Sequence, residues 1–338
     1  MIIWTVFILK VGKWRKINMI YLQKNEINEL LDFDEIFMSI RNGFKLYSQG
    51  KTITPPYIDF SIPDIKRGHV HFKSGYIIGE KYFTLKYSSG FWSDDIKGLS
   101  DNGLFIVFNA KTGRQECIID DMGHLTNYRT GIAGAIATKT FARTNSETVT
   151  VIGSGIQARM QIQAIMKVMN IKKLNVWGRN KENVDLYIND IKVLYPNLII
   201  EQYDSIENSI KETDIIITTT YSEESLLKNK WIKSGTHITA VGACGPNMQE
   251  LDEKILGKSK IFADSKEMCS KHGEISHALR NNIIEVEDII EIGEALDNFE
   301  RNEKDITIAD LVGLGFQDAI IGSHVYEKAL VNKKGINL

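Results

Sequence analysis

The sequence predicts an α/β protein in which a doubly wound parallel sheet stands beside a second, α+β domain. Three observations lead there. From Thr148 onward, short apolar runs alternate with stretches of helical periodicity, the pattern of βαβ units. A glycine turn joins the first of those runs to the first of those helices. Ahead of them, residues 51–120 hold short β-branched and aromatic segments broken by glycine. A length of 338 residues suits two domains better than one.

Residues 1–9, MIIWTVFIL, are nearly all apolar and are followed by Lys10, Lys13, Arg15 and Lys16. A membrane-spanning helix needs about 20 apolar residues, and a signal peptide carries its positive charge before the apolar core. Residues 1–18 are therefore expected to be a poorly ordered extension, with the folded chain opening at Met19. Ile36, Phe37, Ile40, Phe44 and Tyr47 share one helical face, and Gly50 marks the stop. HVHFKSGYIIG, YFTLKYSSGF, GLFIVFNAKTG and QECIID read as antiparallel strands. Residues 126–143, TNYRTGIAGAIATKTFAR, return to helix. TVTVIG is then a short buried strand, followed by a helix with Ile162, Ile165, Met166 and Met169 on one face. KLNVWG is the next strand, and Val184, Tyr187, Ile188, Ile191 and Tyr195 mark the next helix. NLIIEQY, DIIITTT, HITAVG and KIFAD continue the series, and residues 306–331 read as a loop entering one last helix.

Composition narrows the class. The chain is 43% hydrophobic and 25% charged, which suits a folded globular protein and excludes disorder. Forty-one Lys and Arg against 43 Asp and Glu give a net charge of -2, without the basic excess of a nucleic-acid or membrane-surface binder. Cys117, Cys244 and Cys269, with no CxxC spacing, cannot form a disulfide scaffold, so a reducing, cytoplasmic setting is expected.

The turn Gly153-Ser154-Gly155-Ile156-Gln157-Ala158 is GxGxxA between a strand and a helix, the context of a Rossmann-type dinucleotide site. Gly153 permits the tight turn, Gly155 lets backbone approach a pyrophosphate, and Ala158 lets helix and strand pack closely. Free N–H groups at the helix start favour the phosphates. At the end of the second strand, Val176-Trp177-Gly178-Arg179-Asn180-Lys181 holds no acid for a ribose 2′-hydroxyl, while Arg179 and Lys181 suit a 2′-phosphate. NADP(H) is thus expected, with NAD(H) as the alternative.

With that turn in place, the chain from Met19 resembles the ornithine cyclodeaminase/mu-crystallin family. The resemblance rests on LKYSSGF, LTNYRTGIAGAIAT, VIGSGIQAR, VWGRNKENV, GTHITAVGACGPNMQELD, DSKEMCSKHGEISHA and ITIADLVGLGFQD, in that order. VHFKSGY and GEISHA are most similar to its amino-acid dehydrogenase and imine reductase branch. The resemblance implies a homodimer built through the first domain and an active site between domains. It implies residues 19–145 with 306–338 as the substrate-binding and dimerisation domain, and 146–305 as the dinucleotide domain. It also implies that Lys86 and Arg129 hold a substrate carboxylate and are the catalytic pair. Thr130, Thr220, Val241 and Gly242 accompany Gly153 to Ala158 and Gly178 to Lys181 at the cofactor, and Leu311 and Val312 line the substrate pocket. Three positions depart from the family pattern. Cys244 stands where cyclodeaminases carry an Asp, Met248 where relatives have a Lys, and Tyr57 where relatives have a further Arg, a lack that Lys73 is placed to make good.

The expected chemistry is hydride transfer between the nicotinamide and a small 2-imino or 2-amino acid. An ornithine-cyclodeaminase reaction and a non-catalytic NADPH-binding protein of mu-crystallin type remain as alternatives. No metal is expected: His69 with His71, and Cys269 with His272 and His277, lack the spacing of a closed zinc site. Asp310 and Asp318 are read as capping or positioning residues.

Overall fold

The computed structural model describes residues 19–62, 68–91, 101–245 and 247–338. The expectation for residues 1–18 lies outside them. Two eight-stranded sheets organise the described residues. The first contains β1 (Ile20–Gln23), β2 (Thr52–Ile53), β3 (Ile58–Ser61), β4 (Gly68–Ile77), β5 (Tyr82–Phe91), β6 (Asp101–Asn109) and β7 (Gln115–Asp120). As the glycine-broken segments predict, β4 to β7 form an antiparallel meander. β1 adds parallel to β7, which makes the sheet mixed.

The helix α1 (Phe33–Ser48) starts where the Asp32 side chain accepts the Glu35 N–H at 3.0 Å. It buries Ile36, Phe37, Ile40 and Phe44, and Gly50 at φ +69° follows its end. The next helix, α2 (His124–Phe141), is buried on almost every side because its middle, GIAGAIAT, is small or apolar. A Cβ at Gly131 would stand 2.6 Å from the Met160 carbonyl oxygen, so glycine there lets a neighbouring helix lie directly against α2.

The second sheet contains β8 (Thr148–Ile152), β9 (Lys173–Trp177), β10 (Ile199–Gln202), β11 (Ile215–Thr218), β12 (His237–Ala240), β13 (Lys260–Ala263), β14 (Ile289–Glu291) and β15 (Thr307–Asp310). Every pairing is parallel, in the order β10-β9-β8-β11-β12-β15-β13-β14. Its central strands β8, β11, β12 and β15 are almost wholly buried because helices cover both faces, while the edge strand β10 is largely exposed. The principal ones are α3 (Ile156–Val168), α4 (Lys181–Leu194) and α5 (Gly273–Arg280). The faces expected from sequence are the inner ones: Ile162 and Ile165 on α3, and Val184, Tyr187 and Ile191 on α4, are all buried.

One expectation is corrected here. The stretch from residue 306, read as a loop entering one last helix, begins with β15, which pairs with β12 and β13 inside the second sheet. Ala309 and Asp310 are poor strand formers, so it is pairing with distant partners that makes this segment a strand. Beyond it, α6 (Gly315–Asn332) packs on the inner face of the first sheet, and β16 (Ile336–Asn337) pairs with β1. Phe44, Phe105 and Phe316 join α1, the sheet and α6 in one core. The other face of β4 to β7 presents Phe72, Phe83, Leu85, Leu104, Ile106 and Phe108, each half-buried. No helix among the described residues is long and apolar enough to cross a membrane.

Candidate active site

In the second sheet, strand order reverses between β8 and β11, which opens a crevice at the carboxyl ends of the strands. A cavity of about 420 Å³ occupies it, walled by Gly153, Ser154 and Gly155 after β8, by Trp177 to Asn180 at the end of β9, and by Thr219 to Ser222 after β11. Gly153 has φ +121°, and a Cβ on it would meet Thr219 Oγ1 at 2.4 Å. Gly155 is different: its backbone is extended and nothing lies within 4 Å of where its Cβ would be. The protein itself does not require glycine there, whereas a group pressed against the backbone does. Helix α3 begins immediately afterwards, and no side chain caps its first N–H groups. The open cradle and the uncapped helix start fit a dinucleotide pyrophosphate.

A second hollow of about 180 Å³ is bounded by both sheets. Lys73 and Lys86 sit directly opposite each other on β4 and β5 and share the inner face under α6. Arg129 comes from α2. Asp318, on α6, is fully buried between two of these cations: Lys86 Nζ and Arg129 Nε each lie 3.0 Å from it. Arg129 Nη1 also donates to Gln317 Oε1 at 3.0 Å. Lys73 Nζ donates to the Val312 and Gly313 carbonyls at 3.2 and 3.1 Å and lies 4.6 Å over the Tyr57 ring. Gly313 has φ +78°, and a Cβ on it would come within 2.8 Å of Arg129 Nη1, so the guanidinium needs glycine beside it.

Burial and neighbouring charge set the protonation of these groups. Burial pulls the Lys86 ammonium down; Asp318 opposes that, Arg129 and Lys73 add to it, and the group titrates at about 7. Burial pushes Asp318 up, but Lys86 and Arg129 together outweigh it and hold the carboxyl below its ordinary value. Lys73 is lowered by burial and then by Arg129. His71, which also lines the hollow, is brought to about 3 by burial and by His69, so its imidazole is neutral. The Cys244 thiol is open to the hollow, and the low-polarity setting raises it.

The structure gathers most of the residues named from sequence. Lys73, Lys86, Arg129, Cys244, Leu311 and Val312 line the smaller hollow, together with Thr130, Gln157 and Val241. Gly153, Ser154, Gly155, Gly178, Arg179, Asn180 and Thr220 line the larger one. Four cofactor candidates line neither. Ile156 is the exposed first residue of α3, Lys181 is exposed on the first turn of α4, and Ala158 is buried. Gly242 donates its N–H to the buried Glu250 at 3.0 Å, behind the crevice.

Sequence reasoning missed His71, Asp264 and Gln317 as wall residues. His71 was legible, two residues before Lys73 on one strand and so on the same face. Asp264 and Gln317 carried no local signal. Asp318 positions both cations, and Asp310 caps the start of α5 by accepting the Ile275 N–H at 2.9 Å.

The chain is similar to proteins of known family and structure. The family model for the ornithine cyclodeaminase/mu-crystallin family matches residues 17–333. An alanine dehydrogenase of Archaeoglobus fulgidus is 31% identical over 320 residues, spanning 93% of this chain and 96% of that protein. An archaeal alanine dehydrogenase dimer solved with bound NAD superposes with a TM-score of 0.87 at 30% identity, covering 95% of this chain and 99% of that one. The Δ1-pyrroline-2-carboxylate reductase of Thermococcus litoralis, solved with NADH and L-proline, gives 0.88 at 29% identity, covering 95% and 100%.

Proposed function

This chain belongs to the ornithine cyclodeaminase/mu-crystallin family, and from that premise we propose that it is a nicotinamide-dependent oxidoreductase that interconverts a small 2-imino acid and the corresponding 2-amino acid. One observation carries the reading: the buried Lys86 and Arg129 and the half-buried Lys73 line an amino-acid-sized hollow beside a glycine-walled crevice at the strand-order reversal. The nicotinamide, when bound, supplies or accepts hydride. Gly153, Ser154 and Gly155 hold the pyrophosphate, while Thr130, Gln157 and Val241 face the nicotinamide end.

The residues of the chain do the rest. Arg129 and Lys73 bind the substrate carboxylate, the first through a planar fork whose aim is set by Asp318 and Gln317. Fixing the carboxylate fixes the adjacent carbon, and that alignment is where the rate gain arises. Lys86, titrating at about 7, is matched to proton exchange with the substrate nitrogen near neutral pH. Leu311 and Val312 exclude water from one wall.

A deaminating cyclase is disfavoured. Cys244 is a neutral thiol at the position that the family fills with Asp in cyclodeaminases, and Asp264 is already engaged by the Gly313 N–H at 2.7 Å. The coenzyme is proposed to be NADP(H), because Arg179 and Asn180 line the crevice where no acid opposes a 2′-phosphate; NAD(H) is the alternative. The apolar outer face of β4 to β7 is proposed as the seat of a second copy, giving a homodimer.

The test is a screen of 2-oxo acids with ammonia or methylamine, and of cyclic imines, against NADPH and NADH at 340 nm. Oxidation of the reduced coenzyme with one substrate group is expected, with kcat/KM higher for NADPH. Ammonia release from ornithine without a net absorbance change would select the cyclase. Tight coenzyme binding with no turnover of any imine would select a binding protein.

A further inference from the structure

Gln317 lies on the first turn of α6, directly before Asp318, and is fully buried while lining the substrate hollow. Its Oε1 accepts from Arg129 Nη1 at 3.0 Å, but its Nε2 has no hydrogen-bond partner. The orientation of this amide is not arbitrary. A guanidinium only donates, so turning the amide over would set N–H against N–H. The oxygen must face Arg129, and the two N–H bonds are left in the wall of the hollow. A buried donor without an acceptor is costly, and native proteins rarely leave one unused. Thr126 Oγ1 and His71 Nδ1, in the same wall, also lack partners.

We propose that Gln317 is a substrate-binding residue whose amide N–H donates to the substrate carboxylate beside Arg129. This rests on the 2-imino acid reading above. The chemistry selects the carboxylate as the acceptor. A protonated imine nitrogen is itself a donor and would repel the amide, whereas a carboxylate has lone pairs for the amide and for the guanidinium fork together. Gln317 therefore has two connected tasks, holding Arg129 by its oxygen and the substrate by its nitrogen.

Two variants separate those tasks. Gln317→Glu keeps an acceptor for Arg129 and replaces the donor by an anion. Gln317→Met removes both functions at similar size and without charge. Each is assayed with the imine that the wild type reduces best, for substrate KM, coenzyme KM and thermal midpoint. Binding of the product amino acid is followed by quenching of enzyme-bound NADPH fluorescence. Gln317→Glu should raise substrate KM at least about 30-fold at pH 7.5, with coenzyme KM within about twofold, and should recover affinity as pH falls and the new carboxyl protonates. Gln317→Met should raise substrate KM about tenfold with no such pH recovery. A wild-type substrate KM in either variant, with the wild type active, overturns the role of Gln317 and leaves the imine reading intact. If the wild type reduces no imine and binds no amino acid, the reading falls and this proposal falls with it.

Discussion

Asp318→Asn removes the one buried anion that two buried cations share. Lys86 Nζ and Arg129 Nε are each 3.0 Å from Asp318, and none of the three side chains is more than 5% exposed. Deleting one partner of such a buried cluster costs about 3–5 kcal/mol. The two cations do not bear that cost alike. Lys86 titrates at about 7, so near neutral pH it sheds its proton at little cost, whereas a guanidinium stays charged. The loss near pH 7 should therefore fall at the lower end, about 3 kcal/mol, and arise mainly at Arg129. The pH dependence follows from the sign. Asp318 raises the Lys86 value against burial, so without it Lys86 titrates lower still. Below pH 7 the wild type keeps a charged, partnered Lys86 and the variant does not; above it, Lys86 is neutral in both. The gap in thermal midpoint between wild type and variant should widen from pH 9 to pH 6. Asp318 itself protonates below the ordinary carboxylate range and does not enter this window. The same shift takes protons from the Lys86 acid, so imine reduction at pH 7.5 should fall about tenfold or more, with its pH optimum moved to lower pH. Melting curves and rate profiles between pH 6 and pH 9 measure both. A pH-independent gap with an unmoved rate profile would refute the shared-anion account.

Four further outcomes are expected. Lys86→Met should abolish turnover while leaving coenzyme affinity nearly unchanged, as read by NADPH fluorescence; in the wild type, reduction should lose about tenfold per pH unit above 7 as Lys86 deprotonates. Gly155→Val should fold normally, since its backbone is extended and its side-chain space is open, but should raise coenzyme KM about a hundredfold by filling the pyrophosphate cradle; a normal KM argues against a dinucleotide there. Ile106→Arg, on the outer face of the first sheet, should give a monomer by light scattering; a variant that stays dimeric moves the interface elsewhere.

The parts of the fold that were readable in advance are those with a local cause. The α1 face of Ile36, Phe37, Ile40 and Phe44 announces itself at helical spacing, and Gly153 to Ala158 announces a turn between a strand and a helix because each small residue answers a steric need. β15 is hidden for the opposite reason: the Ala and Asp of TIAD are poor strand formers, and its hydrogen bonds come from β12 and β13. The site divides in the same way. Lys86 and Arg129 were reachable through family resemblance, and His71 through strand alternation with Lys73. Gln317 and Asp264 were not reachable, because nothing near them in the chain distinguishes a wall residue from any other buried polar one.

By itself, then, the sequence determined the alternation of strands and helices, the glycine turn with its helix start, and the supply of cationic side chains. These are properties of contiguous residues: side-chain periodicity, backbone freedom and charge. Only the tertiary structure decided which charges meet. Lys86 and Arg129 become a pair through Asp318, which stands far along the chain on α6. That depends on α6 packing against the first sheet, and a buried charge is tolerable only where folding delivers its counter-charge to the same place.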